Sequence, residues 1–247
     1  MSHEMTPAPF VVLFMERSGS SYLCSLLNSH PDILCRYEDF ATVGPEHRDR
    51  QLMSLSGELI DDPHNKEVID HLLRIYYRPR QAAGFKLKFP YQYNAFPELL
   101  TVLLEHKSKL RVILLDRADT VRRMVSLYHF HELRLRTSLK SGNVVDSVPV
   151  EKFRIDVPLF VHHVRLEAHH RTTLLSVAGQ FPNLLKIDYH DLHQTPATQL
   201  DRIAGFLDVP AFVNPATPFR KATPHNLADI IENHDELQTA LANLQAA

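Results

Sequence analysis

The sequence predicts an α/β fold: a single domain over residues 1–247 with a central, mostly parallel sheet flanked by helices. Three observations carry that reading. A short, wholly apolar run, Phe10-Val-Val-Leu-Phe-Met15, suits a strand buried on both faces, and it passes through Arg17-Ser-Gly-Ser-Ser21 straight into the helical pattern Tyr22-Leu-Cys-Ser-Leu-Leu27. Strand and helix patterns alternate along the chain after that, as a sheet with crossover helices requires. At 247 residues one such domain accounts for the whole length.

Taken in order, Ile33 to Arg36 reads as a second short strand, and Tyr37 to Asp62 as a loop-rich insertion punctuated by Gly44, Pro45 and Gly57. Gly84-Phe-Lys-Leu-Lys-Phe89 alternates like a strand and is closed by Pro90. Phe96 to Glu105 reads as helix, Leu110 to Leu115 as a buried strand, and Thr120 to Arg134 as a helix capped by Asp119 or Thr120. Residues 136–150 read as loop, Pro158 to Ala178 as a long helix and Leu184 to Asp188 as a strand. Pro196 to Leu207 and Leu227 to Leu244 read as helices. In such a sheet the ligand crevice belongs at the carboxyl ends of the strands.

Composition narrows the function. With 27 basic and 29 acidic residues the net charge is −2, which excludes a strongly basic nucleic-acid binder on bulk charge. The longest apolar run is strand-sized, so no membrane span is expected. Met1 to Pro9 lacks the pattern of a secretory signal, and two cysteines, Cys24 and Cys35, make no disulfide framework; both point to the cytoplasm. Oligomeric state is not legible.

The strand-turn-helix is P-loop-like. A turn delivered to a helix N-terminus by a buried strand offers unpaired backbone N–H groups and the positive dipole end. Arg17, Ser18, Gly19, Ser20 and Ser21 add a guanidinium and hydroxyls, making an anion cradle. The second glycine and the lysine of a Walker A loop are missing, so a standard nucleoside triphosphate is not the expected ligand. The plainer alternative is a serine cap with a permissive glycine.

These residues also carry a resemblance. Arg17-Ser-Gly-Ser-Ser-Tyr22, followed by Leu27-Asn-Ser-His-Pro-Asp32 and Tyr37-Glu38, resembles the 5′-phosphosulfate-binding segment of carbohydrate sulfotransferases and of the bacterial trehalose and nodulation-factor sulfotransferases. Val112-Ile-Leu-Leu-Asp-Arg117, with Ser126 nine residues on, resembles their arginine and serine for the donor's 3′-phosphate. Lys186-Ile-Asp-Tyr189-His-Asp-Leu192 resembles their Tyr-x-Asp-Leu segment, and Arg220-Lys221 the C-terminal stretch of the bacterial members. The landmarks run from Phe10 to about Leu241.

The resemblance implies transfer of a sulfuryl group from 3′-phosphoadenosine 5′-phosphosulfate (PAPS) to a hydroxyl of a small molecule or glycan, most simply a carbohydrate or glycolipid, with no metal. It implies donor contacts from Arg17 to Tyr22, Lys86, Arg117, Ser126, Tyr189, Arg220 and Lys221. Arg17, Glu38 and Lys88 are the candidates at the reacting centre. Where cytosolic members carry a base histidine in Lys-x-His-x-Pro, this chain has Lys88, which moves the base role toward Glu38.

Physically, Arg17 can fork two oxygens and offset charge on the leaving oxygen, and Glu38 can take the hydroxyl proton. Surface roles for both are the alternatives. Lys86 and Lys88 share a strand face if the alternation holds. Asp116, at the end of a Walker-B-like strand, reads as structural. His162, His163, His169 and His170 read as a solvated or acceptor-lining face rather than a metal site. The rival functions are a P-loop kinase or nucleotide hydrolase, with Asp116 on magnesium, and a nucleotide-binding protein without chemistry.

Overall fold

A computed structural model describes residues 8–36, 81–90, 97–136, 152–219 and 226–246. In chain order the elements are β1 (Ala8–Met15), α1 (Ser20–Asn28), β2 (Ile33–Arg36), β3 (Ala82–Phe89), α2 (Pro97–Glu105), β4 (Arg111–Asp116), α3 (Thr120–Arg136), α4 (Val157–Ala178), β5 (Leu184–Asp188), α5 (Tyr189–Gln194), α6 (Pro196–Leu207), a 3₁₀ turn (Leu227–Asp229) and α7 (His234–Ala246). They form two compact units, one from residues 1–118 and 173–217, the other from 119–172 and 218–247. The insertion expected over Tyr37 to Asp62 lies outside the described residues, as does the 136–150 loop beyond Arg136 at the end of α3.

The first unit holds a five-stranded sheet in the order β2-β3-β1-β4-β5 with every pairing parallel. The fold class expected from the sequence is the observed one. Period-two alternation sends the two faces of β1 into two apolar layers. Val11, Leu13 and Met15 pack with Phe85, Leu87, Val112 and Leu114, covered by Val102 and Leu103 of α2 and Leu174 and Ala178 at the end of α4. Phe10, Val12 and Phe14 pack under Leu23, Cys24 and Leu27 of α1 and Leu200 and Ile203 of α6. With both faces covered, β1 reads as a continuous apolar run, which is why it was legible.

Register brings the functional ends together. Met15 pairs with Phe89, Phe14 with Leu115, and Asp116 with Asp188. Residues 16–17, Lys88, Arg117 and Tyr189 therefore stand at one edge of the sheet. The order reverses around β1, because β2 and β3 lie to one side of it and β4 and β5 to the other, so the crevice is at the β1 tip. Toward the opposite end of the two strands Gly84 lets β3 approach β1: a Cβ would run into the Phe10 carbonyl oxygen and ring.

The Leu27 to Asp32 segment fixes where β2 leaves the sheet. Asn28 accepts from Cys35 N–H at 2.8 Å and donates to Cys35 C=O at 2.7 Å. His30 accepts from Asp32 N–H at Nδ1, 3.0 Å, which leaves the proton on Nε2 to donate to Pro210 C=O at 2.9 Å.

In the second unit Met124 and Val125 of α3, Phe160 and Val164 of α4, and Leu237 and Leu241 of α7 share a core with Phe153, Ile155 and Ile231. Asp119 caps α3, accepting from Arg122 N–H at 2.8 Å. The helix expected from Leu227 is corrected: only Leu227–Asp229 turns, and α7 starts at His234. Asn226 caps the short turn, and Ile231 is instead held extended in a parallel bridge to Phe153, flanked by Phe153 N–H to Ile230 C=O and Glu232 N–H to Phe153 C=O.

Arg123 is 1% exposed and donates to Glu167 at 2.7 Å, while His170 Nδ1 lies 3.1 Å from the other Glu167 oxygen. Removing one partner of a buried pair leaves a desolvated charge. Glu167→Ala should therefore cost about 3–5 kcal/mol in urea unfolding, whereas Arg123→Met with Glu167→Leu should recover most of the loss.

Candidate active site

The turn that joins β1 to α1 is set by backbone conformation. Arg17 (φ 63°) and Gly19 (φ 83°) both adopt the left-handed region, which a β-carbon disfavours. Ser18 closes the turn, its N–H donating to Met15 C=O at 3.2 Å and its hydroxyl to the same oxygen. Ser18 is thus buried and turned toward the strand end. Gly19 is the N-cap of α1, and among the described residues no side-chain oxygen caps this helix. The first-turn amides face the loop as the anion-binding end of a helix does. The plainer alternative of a serine cap is set aside by this geometry.

Around this turn the strands place cations. Lys86 of β3 is 1% exposed and donates to Ser21 Oγ at 3.0 Å and Ser20 Oγ at 3.4 Å, with its ammonium 5.2 Å from the Phe14 ring centroid. A buried ammonium next to the positive end of a helix makes a local field that favours an anion. Lys88 shares the strand face of Lys86, as alternation predicts, and pairs with Glu16 at 3.8 Å.

Arg117, buried at the tip of β4, donates from Nη1 to Arg17 C=O at 2.7 Å and lies over the Tyr189 ring at 4.3 Å. Burial pulls the Arg17 guanidinium below the usual arginine range; Glu16 opposes that shift, Arg117 adds to it and Tyr189 opposes it. The two arginines thus act on one another electrostatically at the same turn.

One ring that the sequence does not single out, His193, completes the wall. His193 stacks on Tyr22, centroids 4.4 Å apart and planes at 27°, and meets Tyr189 edge-on at 4.6 Å. Tyr189 and His193 are four residues apart on α5, so helical spacing was the available signal. Glu16 was also missed, although it extends the Phe10, Val12, Phe14 face toward Lys88. Burial raises the Tyr22 hydroxyl above its ordinary value.

Arg17, Ser20, Ser21, Tyr22, Lys86, Arg117 and Tyr189 are thus gathered around Gly19 within the first unit. Ser126 is buried on α3 in the second unit. Glu38, Arg220 and Lys221 lie outside the described residues. On α4, His163 Nδ1 meets the Tyr128 hydroxyl at 2.7 Å.

A parallel sheet with an uncapped, cation-lined helix end at its switch point defines a phosphate- or sulfate-group-binding α/β protein. The family follows from comparison. A family model described as Sulfotransferase family matches residues 9–213, so the chain belongs to that family. It is 30% identical to Nodulation protein H of Rhizobium tropici over 258 residues, covering 98% of this chain and 93% of the relative. Identity to Nodulation protein H of Rhizobium meliloti (strain 1021) is 25%, with 98% and 95% covered.

Among solved structures, a sulfotransferase from Alicyclobacillus acidocaldarius shares the fold with a TM-score of 0.54 at 17% identity, covering 97% of this chain and 94% of that one. The sulfotransferase domain of the Synechococcus PCC 7002 olefin synthase has a TM-score of 0.52 at 17% identity, covering 96% and 84%. The chain is a sulfotransferase.

The turn's geometry makes a test. A β-carbon on Gly19 would meet the Tyr189 ring at 2.9 Å in addition to its positive φ. Gly19→Ala should cost about 1–3 kcal/mol. Adding Tyr189→Ala should relieve the clash but not the φ strain, so thermal unfolding of the double variant should show less than the summed loss.

Proposed function

We propose that the chain transfers the sulfuryl group of PAPS to a hydroxyl of a carbohydrate or glycolipid. The observation that carries this is Lys86, an ammonium buried at the uncapped N-terminus of α1 with Arg17 and Arg117 at the same turn. Such a concentration of positive charge suits a polyanionic donor, and family membership supplies the class of reaction.

In this reading the amides of the turn, Ser20, Ser21 and Lys86 hold the 5′-phosphosulfate, Ser18 shapes the turn, and Tyr22 and Tyr189 flank the nucleoside. Arg117 takes the 3′-phosphate, and the sequence resemblance adds Ser126, Arg220 and Lys221 to the donor's partners. The acceptor oxygen forms its bond to sulfur as the sulfur–oxygen bond to the nucleotide phosphate breaks, in line, with no metal and no covalent enzyme intermediate. Glu38 takes the hydroxyl proton, while Arg17 and Lys88 offset charge that grows on the sulfuryl group and the leaving phosphate. Two buried free cysteines and the absence, among the described residues, of any helix long and apolar enough to cross a membrane support a cytoplasmic setting.

The deciding experiment incubates the chain with ³⁵S-labelled PAPS and a panel of sugars and glycolipids. Labelled product should form without added magnesium, and ATP in place of PAPS should give no phosphorylated product; magnesium-dependent turnover of ATP would favour a kinase instead. With the acceptor so found, Arg17→Ala should lower turnover by about 10²- to 10³-fold with a smaller change in donor affinity.

Glu38→Gln keeps the shape and cannot accept the proton. Its turnover should fall by about 10²-fold or more, with donor binding retained. Wild-type activity in that variant would remove Glu38 as the base.

A further inference from the structure

We propose that Glu16 is a counter-charge built into the donor cradle, a positioning residue that competes with the bound polyanion for Lys88 and so holds its affinity down. The inference rests on the donor reading given above and adds to it a residue that no resemblance assigns.

The placement comes from strand parity. Phe10, Val12 and Phe14 face α1, and Glu16, two residues on, continues that face past the end of β1. Lys88 lies opposite Phe14 in the parallel register, on the strand face it shares with Lys86. The two side chains meet at 3.8 Å, and they are 28% and 20% exposed. A pair that open contributes little to stability, so its position at the tips of two central strands calls for another role. Glu16 also precedes Arg17 and acts to keep that guanidinium charged, against burial and against Arg117. One carboxylate therefore bears on two of the cations that line the turn.

A carboxylate at the rim of an anion site repels the ligand and occupies a cation the ligand would otherwise take. For an enzyme that must release a polyanionic nucleotide after each transfer, that repulsion prevents the product from being held too tightly. While the donor is away, the same ion pair keeps the Lys88 ammonium beside Glu16 at the strand tips. Binding then exchanges Glu16 for donor oxygens as the partner of Lys88.

The probe is adenosine 3′,5′-bisphosphate, titrated calorimetrically into the full chain. Glu16→Gln should tighten binding by about 3- to 10-fold at low salt, an effect that should shrink at high ionic strength. Glu16→Asp, which keeps the charge, should stay near wild type. Lys88→Met should weaken binding, and in that background the effect of Glu16→Gln should fall to less than half its size on a logarithmic scale, because the two residues act as a pair.

A merely structural glutamate would shift melting temperature without tightening an anion. Binding that Glu16→Gln leaves unchanged or weakens, in a chain whose wild type binds the probe, would overturn this inference and leave the donor reading standing. Failure of the wild type to bind the probe would overturn both.

Discussion

A buried lysine ammonium set against the positive end of a helix constrains everything else at the strand tips of the first unit. Lys86 reaches the hydroxyls of Ser20 and Ser21 from β3, and those serines open α1. For that contact to form, β3 must run parallel beside β1, and the two must approach closely enough that Gly84 has no room for a β-carbon. The chain must also reverse from β1 into α1 within four residues, which sets Arg17 and Gly19 at positive φ. Each condition is geometric, and together they place like charges at one turn. A protein tolerates such a grouping where an anion is to be bound.

Arg117 ties this arrangement to the other half of the sheet. Its bond to Arg17 C=O and its stack on Tyr189 connect the tips of β4 and β5 to the turn. Two consequences follow for the chemistry. The conformation of Arg17 is supported from β4, so its guanidinium is presented by a braced backbone rather than by a loose loop. Arg117 orders the turn itself, so under the proposed donor reading a substitution there would disturb both the far phosphate and the amides at the reacting end.

Much of the sheet was legible in the sequence because burial on both faces leaves an unambiguous mark. Phe10 to Met15 and Val112 to Leu115 are apolar without interruption, and β5 and α6 were read with the bounds the structure gives them. The C-terminal segment was less legible. Leu227 to Leu244 has helical composition throughout, yet the pairing of Ile231 with Phe153, distant in sequence, overrides local preference and delays α7 to His234. At the site, the signature residues around Gly19 could be read from their order, whereas Glu16 and His193 could not. Their neighbours Lys88 and Tyr22 lie on other elements and leave no local motif, and the four-residue spacing of Tyr189 and His193 on α5 is the one local signal for that histidine.

The most direct measurement is a crystal structure of the chain with adenosine 3′,5′-bisphosphate. The account predicts the 5′-phosphate against the amides that open α1, with the Lys86 ammonium within hydrogen-bonding distance and Gly19 still at positive φ. A nucleotide bound elsewhere, or a turn in which Lys86 points away from every phosphate oxygen, would contradict it.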